Sequence, residues 1–363
     1  MIKKLFIRNS FFISLLTIPI IMSVIGLIFI FEASAIRASS DFGNSLHYLK
    51  YQSIWLLIGL FVMFFFSNFN YKNLYFFSFI SLVATVLLLM IVLIPGIGLK
   101  AGGARRWIDF GFFNVQPTEL SKFAVIVYLS SWFINKEKRR FISFITLVGF
   151  LIFLIILQPD MGTAIIVFSL SMIIYYLAGM SLFNLLILIP AAFAGFYLLI
   201  KAAPYRLNRL LAFFNPAADP QGISYHINQI FISLSQGGLF GQGFGSSRQK
   251  YLFLPEAHTD SIFAIIAEEY GFFGSLILIS LYFVFIYKIY HLVRLAPDKQ
   301  SKLLAAGVFA FFNLQIIINL AGMVGLFPLT GVPLPFLSYG GSNLLISFAL
   351  IGILLNIEKR VKV

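Results

Sequence analysis

The chain has 363 residues, is 60% hydrophobic and only 11% charged, has a mean hydropathy of +0.96 and contains no cysteine. So apolar a composition excludes an ordinary soluble domain, and without thiols neither a disulfide framework nor cysteine chemistry is available. The formal net charge of +13 does not signal nucleic acid, because most of the basic residues lie in short stretches between apolar runs, where membrane topology accounts for them.

Apolar runs of about 20 residues, long enough to cross a bilayer core, fall near residues 11–31, 50–67, 74–94, 118–134, 141–157, 161–179, 182–200, 261–288, 303–323 and 338–356. They are continuous rather than alternating, which rules out a β-barrel. Backbone groups in hydrocarbon have no water to bond, so each run is helical. The expected fold is all-α: one polytopic membrane domain over residues 1–363 with about ten transmembrane helices. The first run follows Lys3, Lys4 and Arg8, is too long for the apolar part of a signal peptide and lacks a small-residue cleavage site, so it reads as an uncleaved span.

Charge orients the spans. With ten of them, Lys3, Lys4, Arg8, Lys72, Lys136, Lys138, Arg139, Arg140, Lys288, Arg294, Lys299, Lys302, Lys359, Arg360 and Lys362 fall on one side. That side is cytoplasmic by the positive-inside rule, with both termini inside. Arg105, Arg106, Arg206, Arg209, Arg248 and Lys250 are left outside, where they are available to an external anion.

Three outside segments stand out. Residues 95–117 carry turn glycines and Trp107 beside Arg106, an interfacial composition. Residues 201–260 form a large external loop between the seventh and eighth spans. Within it Ile223, Ile227, Ile230, Phe231 and Leu234 recur at helical spacing among polar residues, which predicts an amphipathic helix. A loop of this length is usually functional. In residues 324–343, Pro328, Pro333 and Pro335 forbid a continuous helix. Irregular backbone at membrane depth survives only against a wet cavity or inside protein, so the segment is expected beside Asp260.

Taken together, GARRWIDFG, QPTELSK, QPDMGTA, FNPAADPQG, GGLFGQGFGSSRQKYLFLPEAHTD and PLTGVPLPFLSYGGSN resemble the motifs of the SEDS family of division, elongation and sporulation proteins. The match runs over nearly the whole chain in the expected order. The SRQKYLFLPEAHTD form looks closer to the division branch than to the elongation branch. The sequence departs from the pattern at Ser261, where an aromatic usually follows HTD, and at 224–226, where SYH replaces a Gly-Tyr-Gln-like triplet. The resemblance implies a peptidoglycan glycosyltransferase of the cell inner (cytoplasmic) membrane, with its active site facing outside. Its implied substrate is lipid II, an undecaprenyl-pyrophosphate-linked disaccharide-pentapeptide. Its implied partners are a class B penicillin-binding protein (a transpeptidase) and other divisome or elongasome membrane proteins. The aspartate of HTD, here Asp260, is the implied catalytic residue.

That reaction needs a base for the acceptor hydroxyl and cations for the departing pyrophosphate. Asp260, at the start of a span, is placed to be a partly desolvated base. The same position suits a helix N-cap, which would lower its pKa. Glu268 lies about 80° around the helix and about 12 Å deeper. It and Glu269 should face the bundle or a cavity, since a charge in lipid costs about 2.5–3.5 kcal/mol. Glu119 and Lys122, one turn apart, read either as an ion pair or as a pyrophosphate site with Glu119 setting Lys122. Arg106 is a second clamp candidate or a headgroup anchor. Arg206, Arg209, Arg248 and Lys250 are further candidates, and Glu256, His258, Glu268 and Ser338 are expected to line the cavity. His258 with Asp260 lacks a third ligand for a metal site, although Mg or Mn carried by the pyrophosphate would take oxygen ligands. The glycines of 238–245 follow no nucleotide-loop pattern and read as turns. Asp160 reads as the cap of the sixth span. A competing function is a flippase or transporter of the lipid-linked precursor, suggested by the broken connection before the last span.

Overall fold

The computed structural model describes residues 2–101, 103–111, 113–135, 140–201 and 203–361, with backbone alone for residues 2–14 and 101; Lys136, Lys138, Arg139 and Lys362 lie outside the described residues. Among the described residues there are twelve α-helices: α1 (Ile2–Phe42), α2 (His47–Asn68), α3 (Leu74–Ile91), α4 (Pro117–Trp132), α5 (Phe141–Ile156), α6 (Met161–Leu177), α7 (Leu182–Lys201), α8 (Pro204–Phe214), α9 (Tyr225–Gly237), α10 (Ile262–Leu295), α11 (Lys299–Met323) and α12 (Gly341–Glu358). Helices 1–7 and 10–12 fall on the ten apolar runs. Seven of these, α1, α2, α3, α7, α10, α11 and α12, are long and apolar enough to cross a membrane. The remaining three are shorter, at 16 or 17 residues, or about 24–26 Å of rise.

Burial follows composition. Residues of α12 are apolar all round, and nearly every one is buried, as expected for a central helix. Only Leu185 of α7 is buried. Between helices in lipid the gain comes from close packing rather than from leaving water, and small residues set the distance. A Cβ on Gly59 of α2 would lie 2.8 Å from the Phe348 ring, and one on Gly352 of α12 would lie 2.5 Å from the Met63 carbonyl. Backbone contact between α2 and α12 depends on those two glycines.

The fold is all-α as expected, with two added features. Residues 98–115 form a small antiparallel sheet, β1 (Gly98–Ala101), β2 (Ala104–Asp109) and β3 (Asn114–Val115), in that order. Its first turn is made by Gly103, at φ 81°. The external loop holds two helices rather than one. The expected amphipathic helix is α9, which buries Ile227, Ile230 and Ser233. Before it, α8 starts at Pro204, buries Ala212 and leaves Leu207, Leu211 and Phe214 exposed.

The eighth span is not one rod over 261–288, because α10 breaks at Gly271, whose backbone (φ 65°, ψ −160°) is not helical. Two rungs of the helix ladder, Phe272 to Glu268 and Phe273 to Glu269, are opened there. Loop 238–243 takes up all four freed groups: Phe272 N donates to Gly238 O (2.9 Å), Phe273 N to Leu239 O (3.1 Å), Gln242 N to Glu268 O (3.0 Å) and Gly243 N to Glu269 O (3.0 Å). The glycines permit this approach. A Cβ on Gly237 would lie 2.0 Å from Ala267 O, and one on Gly241 would lie 2.1 Å from Glu269 O. The Gly-rich stretch read as turns is therefore the backbone partner of a helix break.

Residues 324–340 run back into the bundle. Phe336 lies among the rings of Phe285, Phe312 and Phe348 at 5.4–5.7 Å, and Tyr282 Oη donates to Pro335 O. On α1, Gly26 gives this segment room: a Cβ there would lie 2.6 Å from Phe336 O.

Gly271→Ala should cost about 3 kcal/mol or more, because it strains a glycine-only conformation and drives a methyl to 2.3 Å from Gly241 N. Gly103→Ala, also at positive φ but with nothing within 4 Å, should cost only about 1–2 kcal/mol. Thermal unfolding of the two variants in detergent measures the gap, and equal stability would contradict the account of the break.

Candidate active site

Asp260 is set by a turn, an anchor and a pocket. The turn runs over 256–261, where Thr259 N and Ser261 N both donate to Glu256 O and Glu256 itself takes φ 51°. The anchor is Asn319 of α11, whose Nδ2 donates to Asp260 O (2.8 Å) and to Val332 O (2.9 Å). One amide thus joins the start of α10, α11 and the irregular segment. The pocket, about 10 Å³ and so roomy enough for one water-sized group, is lined by Asp260, Ile318, Asn319, Gly322, Met323 and residues 329–332.

The capping alternative for Asp260 fails, because the N-cap of α10 is Ser261. The Asp260 carboxylate accepts instead from Thr259 Oγ1 (3.0 Å), which also lies 2.9 Å from Glu256 Oε2. Burial pushes the Asp260 carboxyl above its ordinary value; the nearby His226 opposes that shift and Glu256 adds to it. Asp160 does cap α6, accepting from Thr163 N, and it also accepts from Thr118 Oγ1.

The other candidate residues fall into separate groups. Arg209 does not line the pocket but approaches the backbone of its wall, with Nη1 3.4 Å from Leu329 O. Arg106 is bonded to the turn before α6, and Arg206, also bonded to Leu199 O (2.9 Å), is linked to it only through Tyr205. Arg106 donates to Gln158 O (3.0 Å) and to Pro159 O. Arg206 donates to Tyr205 Oη (2.8 Å), and that hydroxyl approaches Pro159 O (3.4 Å).

Lys122 and Glu119 form a buried pair at 2.6 Å, with Lys122 only 1% exposed. Asn343 Nδ2 donates to Glu119 Oε2 (2.8 Å) and lies 3.4 Å from Gln315 Oε1. Gln315 and Asn319 are one turn apart on α11 and both are buried. The polar contacts from Lys122 therefore end at Gln315, one turn from the anchor of Asp260 and not bonded to it.

Lys250 bonds Glu32 of α1 (2.8 Å) and Glu269 (3.4 Å). Glu268 is fully buried and accepts from Ser247 Oγ (2.6 Å) and Arg248 N (2.9 Å); the Arg248 side chain is exposed. These groups fasten the loop to α10 and α1. Both buried glutamates therefore face protein, as their cost in lipid requires.

His258 is buried, packs against Tyr48 and Tyr339 and is pushed by that burial down to about 4. It is neutral at neutral pH and cannot serve as a cationic clamp. Ser338 accepts from Leu334 N (2.8 Å), closing a turn of the irregular segment. Glu256 is exposed, with Arg37 at 3.9 Å. Among the described residues no three His, Asp or Glu side chains converge to hold a metal ion. Two residues not singled out by sequence belong to the site, Asn319 and His226. The latter carries its Nε2 2.8 Å from Ser261 Oγ.

Residues 12–363 match the FtsW/RodA/SpoVE family, described as a cell cycle protein. Over 351 residues the chain is 36% identical to Stage V sporulation protein E of Bacillus subtilis (strain 168), covering 95% of this chain and 96% of that one. Over 368 residues it is 36% identical to the probable peptidoglycan glycosyltransferase FtsW of Trichlorobacter lovleyi, covering 99% and 96%. A solved peptidoglycan synthase complex, described as the structural coordination of polymerization and crosslinking, contains a chain that superposes with a TM-score of 0.76 at 25% identity, covering 95% and 96%. The rod shape determining protein RodA of Thermus thermophilus shares the fold, with a TM-score of 0.71 at 24% identity and coverage of 96% and 97%.

Lys122→Met strands the Glu119 carboxylate in the core and should cost about 3–5 kcal/mol. Adding Glu119→Gln removes the orphan charge and should recover most of that loss in a thermal unfolding measurement. A single variant as stable as wild type would show that the two groups do not form a buried charged pair.

Proposed function

The chain belongs to the FtsW/RodA/SpoVE family, and we propose that it is a peptidoglycan glycosyltransferase that polymerises lipid II at the outer face of the cytoplasmic membrane. Both termini lie inside in this reading, which puts Asp260 at the outer side. Its transpeptidase partner is a class B penicillin-binding protein.

The observation that carries the mechanism is the setting of Asp260: half-buried, on a pocket, held by its backbone to Asn319 and not used as a cap. A carboxylate so placed is more basic than one in water. It takes the proton of the acceptor sugar hydroxyl as that oxygen attacks the donor's anomeric carbon. The bond from that carbon to the pyrophosphate oxygen breaks, and the electron pair leaves with the undecaprenyl pyrophosphate. One displacement inverts the anomeric centre. Arg209, whose guanidinium approaches the carbonyl of the pocket-lining Leu329, is the first candidate for the anion. Arg106, bonded to Pro159 O, and Arg206, bonded to Tyr205 Oη and Leu199 O, supply two more guanidiniums suited to phosphate oxygens.

Asp260→Asn, assayed with the transpeptidase partner and lipid II, should lower polymerisation about 10²–10⁴-fold, the range of general-base catalysis. In the wild type the rate should fall on the acid side. The fall should begin above the ordinary carboxylate range, since protonation removes the base and burial raises the pH at which that happens. Undiminished polymerisation by Asp260→Asn would overturn the assignment.

A further inference from the structure

The hydroxyl of Ser261 is not used where a helix would use it. Ser261 is the N-cap of α10 but makes no side-chain cap bond, although a serine cap is worth about 1 kcal/mol. Its Oγ lies 2.8 Å from His226 Nε2 on α9 instead. The two residues are 35 apart in sequence, and Ser261 is the immediate neighbour of Asp260.

We propose that His226 is a positioning residue for Asp260: through Ser261 Oγ it fixes the turn that carries the carboxylate, and its imidazole is the nearby group whose charge that carboxylate feels. This rests on the general-base reading of Asp260.

Three observations bear on it. First, the bond survives in either charge state of the imidazole. A hydroxyl both donates and accepts, so Ser261 donates to a neutral Nε2 and accepts from a protonated one. Protonation then changes the charge beside Asp260 without releasing the turn. Second, the groups that act on His226 come from each neighbouring element: Asp260 and Glu256 from the 256–261 turn favour its charged form, while Arg209 from α8 opposes it. Burial opposes it most and holds the imidazole below its ordinary value. Third, His226 and Asp260 act on each other in opposite senses, the histidine drawing the carboxyl down and the carboxylate drawing the imidazole up.

The sign of the effect follows. As pH falls, a proton that lands on His226 leaves Asp260 ionised and favours its remaining so. Without the imidazole the same proton goes to Asp260. Removing His226 must therefore move the acid limb of the rate profile to higher pH.

The test uses the full chain with its transpeptidase partner and lipid II. His226→Gln keeps a nitrogen that can donate to Ser261 Oγ but removes the titrating charge. Its melting temperature and KM should stay near wild type, while its acid limb rises by about half to one pH unit, a three- to tenfold lower rate within the limb. His226→Ala and Ser261→Ala each cut the bond and should lower kcat about 3–30-fold, and the double variant should be no worse than either single one. An unmoved acid limb in His226→Gln, or losses that add in the double variant, would overturn the inference. Asp260→Asn is assayed in parallel. If it polymerises at the wild-type rate, the base reading fails and this inference fails with it. If it is inactive while the His226 and Ser261 variants match wild type in rate and profile, only this inference fails.

Discussion

A backbone group in hydrocarbon must find a partner inside the protein, and the break in α10 shows how that rule builds the site. Two ladder bonds are given up at Gly271, and four groups of loop 238–243 replace them. The break and the loop therefore depend on each other. The same stretch of chain continues into the turn that carries Asp260. Glu268 and Glu269, just before the break, complete the attachment by binding Ser247, the backbone of Arg248 and the ammonium of Lys250. Charges that would be costly in lipid are used here as fasteners between an external loop and a buried helix.

The second support comes from the other side. Asn319 holds both Asp260 O and Val332 O, so the pocket wall and the carboxylate share one anchor on α11. One turn along α11, and with no hydrogen bond to Asn319, Gln315 begins a separate buried set with Asn343, Glu119 and Lys122. A buried network of this kind adds little net stability but makes its geometry expensive to change. For a base that has to meet a single hydroxyl, fixed geometry matters more than stability.

Much of this was legible in the sequence. Apolar length located helices 1–7 and 10–12, seven of them long and apolar enough to cross a membrane, and helical spacing located α9 to within a few residues of Tyr225–Gly237. Proline and glycine marked the irregular segment before α12, and Asp160 fell where a cap belonged. The remainder depends on contacts between distant residues. A lone glycine in an apolar run gives no sign that its helix is broken, so Gly271 was read through. Lys250 looked available because its partner Glu32 is on α1, 218 residues away. Lys122 was ambiguous for the opposite reason: its partner is one turn away, and spacing cannot tell a structural pair from a binding site. His226 showed in the sequence only as part of a departure from the motif, with nothing to say what it meets. Its meeting with Ser261 joins the two positions at which the sequence departs from its family's motif.

The central claim is spatial: Asp260 faces the acceptor hydroxyl while the pyrophosphate lies toward the arginines of the external loops. A structure of the protein with its transpeptidase partner and a non-hydrolysable lipid II analogue tests that most directly. The account predicts the acceptor hydroxyl within about 2.6–3.2 Å of an Asp260 carboxylate oxygen, with the phosphates at Arg209 or at the Arg106 and Arg206 pair. Phosphates seated on Asp260, or an acceptor sugar bound out of its reach, would contradict it.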